Sequence, residues 1–192
     1  HGQGGAIWGG QVDIFDSTFD SNQSPTQGSA AYLFGSVITG STFINNGIYN
    51  SNTSYKPYLS IINSKFINAT DDPLTLGTDV YSENQLILIN TLLNDTLVKS
   101  DGDDNVIYNN IFISESESIL EFKEFTNTQI KHNYLDTSKV TGYSGDTSSN
   151  IYENVELGFV DVENNNFRLT SSSSLMDAGM TDINEVVLPK TD

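Results

Sequence analysis

One pattern recurs six times along this chain. An aliphatic residue is followed by a small polar pair, and an aromatic or leucine stands five places after the aliphatic. The aliphatic place holds Ile14, Ile38, Ile61, Leu88, Ile107 and Ile130. The second apolar place holds Phe19, Phe43, Phe66, Leu93, Phe112 and Leu135. Between them lie Asp16-Ser17, Gly40-Ser41, Asn63-Ser64, Asn90-Thr91, Asn109-Asn110 and His132-Asn133. Successive copies are 24, 23, 27, 19 and 23 residues apart. A fixed period near this length marks a stacked architecture, because one short repeat has no partner surface of its own on which to bury its apolar residues.

The segments are short, β-branched and aromatic, with strand-like alternation, and none sustains a helical period. Asn and Gly at the polar pair tolerate the left-handed backbone of a sharp bend. Strand, bend, strand and loop therefore repeat, and stacking places each Ile on the next Ile and each Phe on the next Phe. The expected fold is an all-β parallel β-helix, a solenoid of about seven coils rising about 4.8 Å per coil. The expected layout is a single β-helix domain over 1–192, the C-terminal part of a longer solenoid. Repeated coils fill 1–137, a loop-rich insertion 138–157, and a closing C-terminal coil with its tail 158–192.

Charge narrows the function classes. The chain has 25 acidic and 8 basic residues, a net charge of −17. Binding phosphate backbones or anionic lipid requires clustered Lys and Arg, so neither nucleic acid nor an anionic membrane surface is an expected partner. No apolar run reaches the length that spans a bilayer. Zero cysteines exclude disulfides, thiolate metal sites and a cysteine nucleophile. The two histidines, His1 and His132, do not make a multi-histidine centre, and His132 reads as a solvated turn residue.

Two sets of motifs carry a family resemblance. Gly4-Gly5-Ala6-Ile7, with the degenerate copy Gly28-Ser29-Ala30-Ala31, resembles the Gly-Gly-Ala-Ile motif of polymorphic outer-membrane-type adhesin repeats. Phe19-Asp20-Ser21-Asn22 and Phe43-Ile44-Asn45-Asn46 match their Phe-x-x-Asn motif, and Phe66-Ile67-Asn68-Ala69 departs at its last place. Further on, Gly158-Phe159-Val160-Asp161, Asn166-Phe167-Arg168-Leu169 and Ser174-Leu175-Met176-Asp177-Ala178-Gly179 are similar to the closing coil of secreted pectin-lyase-like β-helix proteins. The resemblance implies a right-handed solenoid and a structural tie from Arg168 to Asp161 or Asp177. It also implies an extracellular or cell-surface location.

Candidate sites are few. Asp101, Asp103 and Asp104 offer oxygen ligands to a hard cation, which makes calcium the one candidate cofactor, against a solvated turn as the plainer alternative. Trp8, Tyr49, Tyr55 and Tyr58 are candidate sugar platforms, against the alternative that the rings shield strands. Asn22, Asn52, Asn68 and Asn94 stand in Asn-x-Ser/Thr acceptors for glycosylation. No catalytic constellation is present, so the expectation is a non-catalytic adhesin-like or scaffold segment. Its expected partners are a carbohydrate, a host or neighbour cell-surface protein, or further copies of its own solenoid. A polysaccharide lyase or glycoside hydrolase of the pectin-lyase-like fold, and a subunit of an extracellular filament or sheath, are the two alternatives.

Overall fold

The computed structural model describes residues 5–9, 11–23, 29–51, 58–68, 80–83, 85–123, 127–152 and 157–180. The chain forms two compact units, His1–Glu153 and Asn154–Asp192. The first is a parallel β-solenoid.

Each coil of the solenoid contributes strands to three sheets. Coil one holds β1 (Ile7–Trp8), β2 (Ile14–Phe15) and β3 (Thr18–Asp20). Coil two holds β4 (Ala31–Leu33), β5 (Ser36–Thr39) and β6 (Thr42–Ile44). Coil three holds β7 (Ile48–Asn50), β8 (Tyr58–Ile62) and β9 (Lys65–Ile67). Coil four holds β10 (Val80–Ser82), β11 (Gln85–Ile89) and β12 (Leu92–Asn94). Coil five holds β13 (Val98–Ser100), β14 (Val106–Tyr108) and β15 (Ile111–Ile113). A sixth, partial coil holds β16 (Leu120–Phe122) and β17 (Gln129–Lys131), and β18 (Val140–Thr141) follows. The first strands of the coils form a seven-stranded sheet A, the second a six-stranded sheet B, and the third a five-stranded sheet C.

The solenoid thus has about five turns, not about seven. The shortfall lies in the segment expected to close it. There β19 (Phe159–Asp161) and β20 (Asn166–Leu169) pair antiparallel as a hairpin. A parallel return needs a crossover of roughly a dozen residues. Only the turn 162–165 intervenes, with Asn165 in the left-handed region at φ 57°. Asp161 accepts hydrogen bonds from Asn164, and Arg168 is exposed, while the ion pairs among the described residues are Lys99–Glu121 and Lys123–Asp101.

Like residues lie on like residues inside the solenoid. In sheet B, Ile14, Ile38, Ile61, Leu88, Ile107 and Ile130 form one register column. In sheet C, Phe19, Phe43, Phe66, Leu93 and Phe112 form another. A bridge from Ile111 to Tyr134 brings buried Leu135 next to that column's end. The Phe19, Phe43 and Phe66 rings stack at 5.0 and 4.6 Å, within 5° of parallel. Each such contact adds about 0.5–1.5 kcal/mol to what burial itself contributes.

The bend between sheets B and C explains the polar pairs. Its first member takes the left-handed conformation in every copy: Asp16, Gly40, Asn63, Asn90, Asn109 and His132 have φ between 43° and 64°. The second member points inward and forms a hydrogen-bonded column. The Ser17 N–H donates to Ser41 Oγ, Ser41 to Ser64 Oγ, and Ser64 to Thr91 Oγ1. The column continues from Thr91 N–H to Asn110 Oδ1, from Asn110 to Asn133 Oδ1, and from Asn133 to Asn150 Oδ1. Each coil therefore supplies the acceptor for a bend amide of the coil before it, which satisfies groups that burial would otherwise leave orphaned.

A second column stands past sheet C. Asn22 Nδ2 donates to Asn46 Oδ1, Asn46 N–H to Asn68 Oδ1, and Asn68 Nδ2 to Thr96 Oγ1. This is the physical content of the Phe-x-x-Asn motif, and Asn68 takes the same place one residue early. The second glycine of the Gly-Gly-Ala-Ile motif has a steric cause. A Cβ on Gly5 would lie 2.0 Å from the Ser29 carbonyl oxygen.

Candidate functional site

Alternation along sheet A sends one set of side chains inward and the next outward. Ile7, Ala31, Ile48, Val80, Val98, Leu120 and Val140 share the inward register. Their successors therefore share the outer face: Trp8, Tyr32, Tyr49, Tyr81, Lys99, Glu121 and Thr141, one per coil. Two residues further along each strand, Phe34, Ser51, Glu83, Asp101 and Lys123 fall on the same side by the same alternation.

The aromatic half of this face is tightly packed. The Tyr32 and Tyr49 rings stack at 5.0 Å and 12°, and Tyr49 and Tyr81 are tilted at 4.8 Å. Phe34 meets Tyr32 edge-on at 5.5 Å, and Tyr32 is buried. The faces of Tyr32 and Tyr49 are turned to each other, which leaves Tyr32 buried and Tyr49 half-buried. Trp8, at the other end, is 61% exposed.

The hydroxyls run into a polar network. The Tyr49 hydroxyl donates to Glu83 Oε1 at 2.6 Å, and Ser51 Oγ donates to Glu83 Oε2 at 3.3 Å. The Tyr81 hydroxyl donates to Asp101 Oδ2 at 2.7 Å, and the Lys123 ammonium pairs with the same oxygen. Lys99 pairs with Glu121 at 3.4 Å. Burial, then the hydrogen bond to an anionic carboxylate, pushes both phenols above the usual tyrosine range. They remain protonated donors at any physiological pH. Lys99 and Lys123 are two of only eight basic residues, so this face is far closer to neutral than the chain as a whole.

Comparison with protein-family models, curated proteins and solved structures finds no match to this chain. The adhesin-type and pectin-lyase-like resemblances rest on the quoted motifs, and the solenoid on its own geometry.

The sequence-predicted residues fall in different places. Trp8 and Tyr49 stand in the one outer column, two coils apart. Tyr58 opens β8 in sheet B, opposite Gln85, and so is not part of that face. Tyr55 and Asn52 lie outside the described residues. Asp101 is engaged by Tyr81 and Lys123, while Asp103 and Asp104 are exposed in the turn after β13. Among the described residues no three carboxylate or imidazole groups converge to hold a metal ion. Asn22 and Asn94 are half-buried. Asn68 is 5% exposed, and the nitrogen a glycan would take donates to Thr96. Tyr32, Tyr81 and Glu83 are the residues that sequence reasoning missed. The signal available was a tyrosine directly after Ala31, Ile48 and Val80, hidden because loops of unequal length separate it from the main repeat.

Proposed function

We propose that this chain is a non-catalytic β-helix segment of an extracellular or cell-surface protein, adhesin-like in role, with the outer face of sheet A as its recognition surface. The observation that carries this reading is the column Trp8, Tyr32, Tyr49, Tyr81, Lys99 and Glu121, one side chain per coil. Neighbouring strands lie about 4.8 Å apart, so the column presents one side chain at each such step along a line. A carbohydrate chain laid along the column meets Trp8 first, then hydroxyl–carboxylate pairs that both donate and accept. The side-chain columns at the bends support a stiff carrier for that surface, since every coil is tied to the next through its interior.

The test is a glycan array probed with the intact chain, together with Trp8→Ala and Lys99→Ala variants and an assay for released sugar. Binding of a neutral extended glycan, lost in both variants and without release, is the expected result. Robust turnover of any polysaccharide overturns the non-catalytic reading, and glycan binding indifferent to both substitutions overturns the assignment of the face.

A further inference from the structure

A second feature lies away from the outer face of sheet A, where coils four to six turn from sheet C back to sheet A. In coil four this connection is short, running 95–97 between β12 and β13. In coil five it lengthens to 114–119 between β15 and β16. After β17, Asp136 caps a single 3-10 turn, Thr137–Lys139, before β18. The longer wall opens a cavity of about 440 Å³. That volume lies within the range of small-ligand pockets, roughly 300–1,000 Å³.

The lining is part apolar, and its charges are one-sided. Asp95, Glu115, Asp136 and one ammonium, Lys139, line it together with Tyr134 and Tyr152. Lys139 Nζ already donates to the Ser114 carbonyl at 2.8 Å. Asp136 is a fixed anion: the Ser138 hydroxyl and N–H donate to it at 2.6 and 3.0 Å, and hydrogen bonding holds its carboxyl below the usual range. Asp95 is the opposite case. Burial raises its carboxyl despite hydrogen bonds from the Ser114 side chain and the Glu115 backbone. Tyr134 and Tyr152 sit 5.8 Å apart and tilted by 45°, with Tyr152 44% exposed. Their ring faces are not closed against each other.

We propose that this cavity binds a small organic ligand through a protonated amine. The carboxylates outnumber the ammonium, so a ligand cation replaces hydration that Asp95 has lost. Tyrosine faces attract an organic cation through their quadrupole. An anionic ligand meets local repulsion and the −17 charge of the chain. A bare metal ion is disfavoured by spacing, since among the described residues no three such groups close around one point. The amine source is either an amino sugar or an aliphatic amine such as a lysine-like chain. This inference is independent of the sheet A reading, because it uses none of its residues.

The test is calorimetric titration of the intact chain with glucosamine, cadaverine, glucose and N-acetylglucosamine. Binding of either amine at least tenfold tighter than either neutral sugar is expected. Glucosamine alone identifies the sugar source, cadaverine alone the aliphatic one, and both together the ammonium as the shared determinant. Asp95→Asn and Glu115→Gln are each expected to weaken amine binding at least tenfold. Asn suits position 95, which sits in the left-handed region at φ 48°. Unchanged circular dichroism confirms that the variants fold, and should Asp95→Asn misfold, Glu115→Gln on an exposed residue still decides. No amine binding, equal binding of glucose and glucosamine, or amine affinity indifferent to both substitutions overturns the proposal.

Discussion

Removing the side chain of Asn133 tests the idea that the bend column holds the coils together. Asn133 is buried, and its Oδ1 accepts from the Asn110 N–H at 2.8 Å and from Asn110 Nδ2 at 3.0 Å. Its Nδ2 donates to the Ile107 and Lys131 carbonyls and to Asn150 Oδ1 at 2.8, 3.0 and 2.9 Å. Alanine there removes all five contacts, but the damage is unequal. Asn110 Nδ2 keeps the Leu88 carbonyl at 2.8 Å, and Asn150 Oδ1 keeps the Asn133 backbone N–H. The Asn110 N–H keeps nothing. A buried donor without an acceptor costs about 1–3 kcal/mol, and the lost packing adds to it. Asn133→Ala is therefore expected to cost about 2–4 kcal/mol, a large share of the 5–15 kcal/mol typical of a folded domain. Asn133→Ser separates the two contributions. Serine occupies this place at Ser17, Ser41 and Ser64, and at Ser41 and Ser64 its hydroxyl accepts the neighbouring amide while donating two residues back. The serine variant keeps an acceptor for Asn110 and is expected to be about 1–2 kcal/mol more stable than the alanine one. Urea unfolding followed by far-ultraviolet dichroism measures both. Equal midpoints for Ser and Ala would mean that the column does not hold that amide, and the reasoning would fail.

Three further outcomes follow from packing and charge. Phe66→Ala, at the end of the ring stack where it meets Leu93, is expected to cost about 3–5 kcal/mol, whereas Phe66→Leu, the residue that coil four carries at this place, should cost far less in the same urea series. Gly142→Ala should destabilise by more than about 1 kcal/mol although the site is exposed, since its φ is 71° and a Cβ would lie 1.7 Å from the Phe122 carbonyl oxygen; a calorimetric melt reads this. Tyr49 and Tyr81 have folded-state values raised above the unfolded one, so their stabilisation is complete below about pH 10 and is lost as pH rises through the folded values. Absorbance of the phenolate should show these two ionising last, and Tyr49→Phe with Tyr81→Phe should flatten the alkaline fall in stability.

The interior of sheets B and C was legible because stacking forces like on like at a nearly constant step. Ile14 to Ile38 and Phe43 to Phe66 differ by one coil, and the polar pair between them keeps its place because one backbone position must turn left-handed. Sheet A was not legible. Its inward residues Ala31, Ile48, Val80 and Val98 stand at unequal distances from the repeat, because connections of different length join sheet A to sheet B. The outer tyrosines inherit that irregularity: in the sequence Trp8 stands out beside the Gly-Gly-Ala-Ile motif, and Tyr49 only through its nearness to Tyr55 and Tyr58. The difference between about seven expected coils and about five has a topological reason. Gly158-Phe159-Val160-Asp161 and Asn166-Phe167-Arg168-Leu169 look like strands, and they are, but a four-residue turn forces them to pair with each other. Residue type alone did not reveal that direction.

The bend column also changes chemistry along the solenoid, and that change has a measurable consequence. In the early coils the acceptors are hydroxyls, and the amide contacts of Ser17, Ser41 and Ser64 measure 3.2, 3.3 and 3.4 Å. From Thr91 onward the acceptors are Asn carbonyls, and the contacts shorten to 2.9, 2.8 and 3.0 Å. The longer Asn side chain reaches the neighbouring coil more fully, and its Nδ2 anchors it to a carbonyl of that coil, as Asn110 does at Leu88 and Asn133 at Ile107. A solenoid opens locally, coil by coil, so local bond strength decides local exposure. Hydrogen exchange at the Ser17, Ser41 and Ser64 amides is expected to outpace that at Thr91, Asn110 and Asn133. Proximity to an end of the solenoid would produce part of the same gradient, so the decisive measurement is Asn110→Thr. It installs a hydroxyl acceptor in the middle of the strong half and should speed exchange at Thr91 while leaving Asn133 unchanged. If Thr91 exchanges at its original rate in that variant, acceptor chemistry is not what grades the column, and position along the solenoid is.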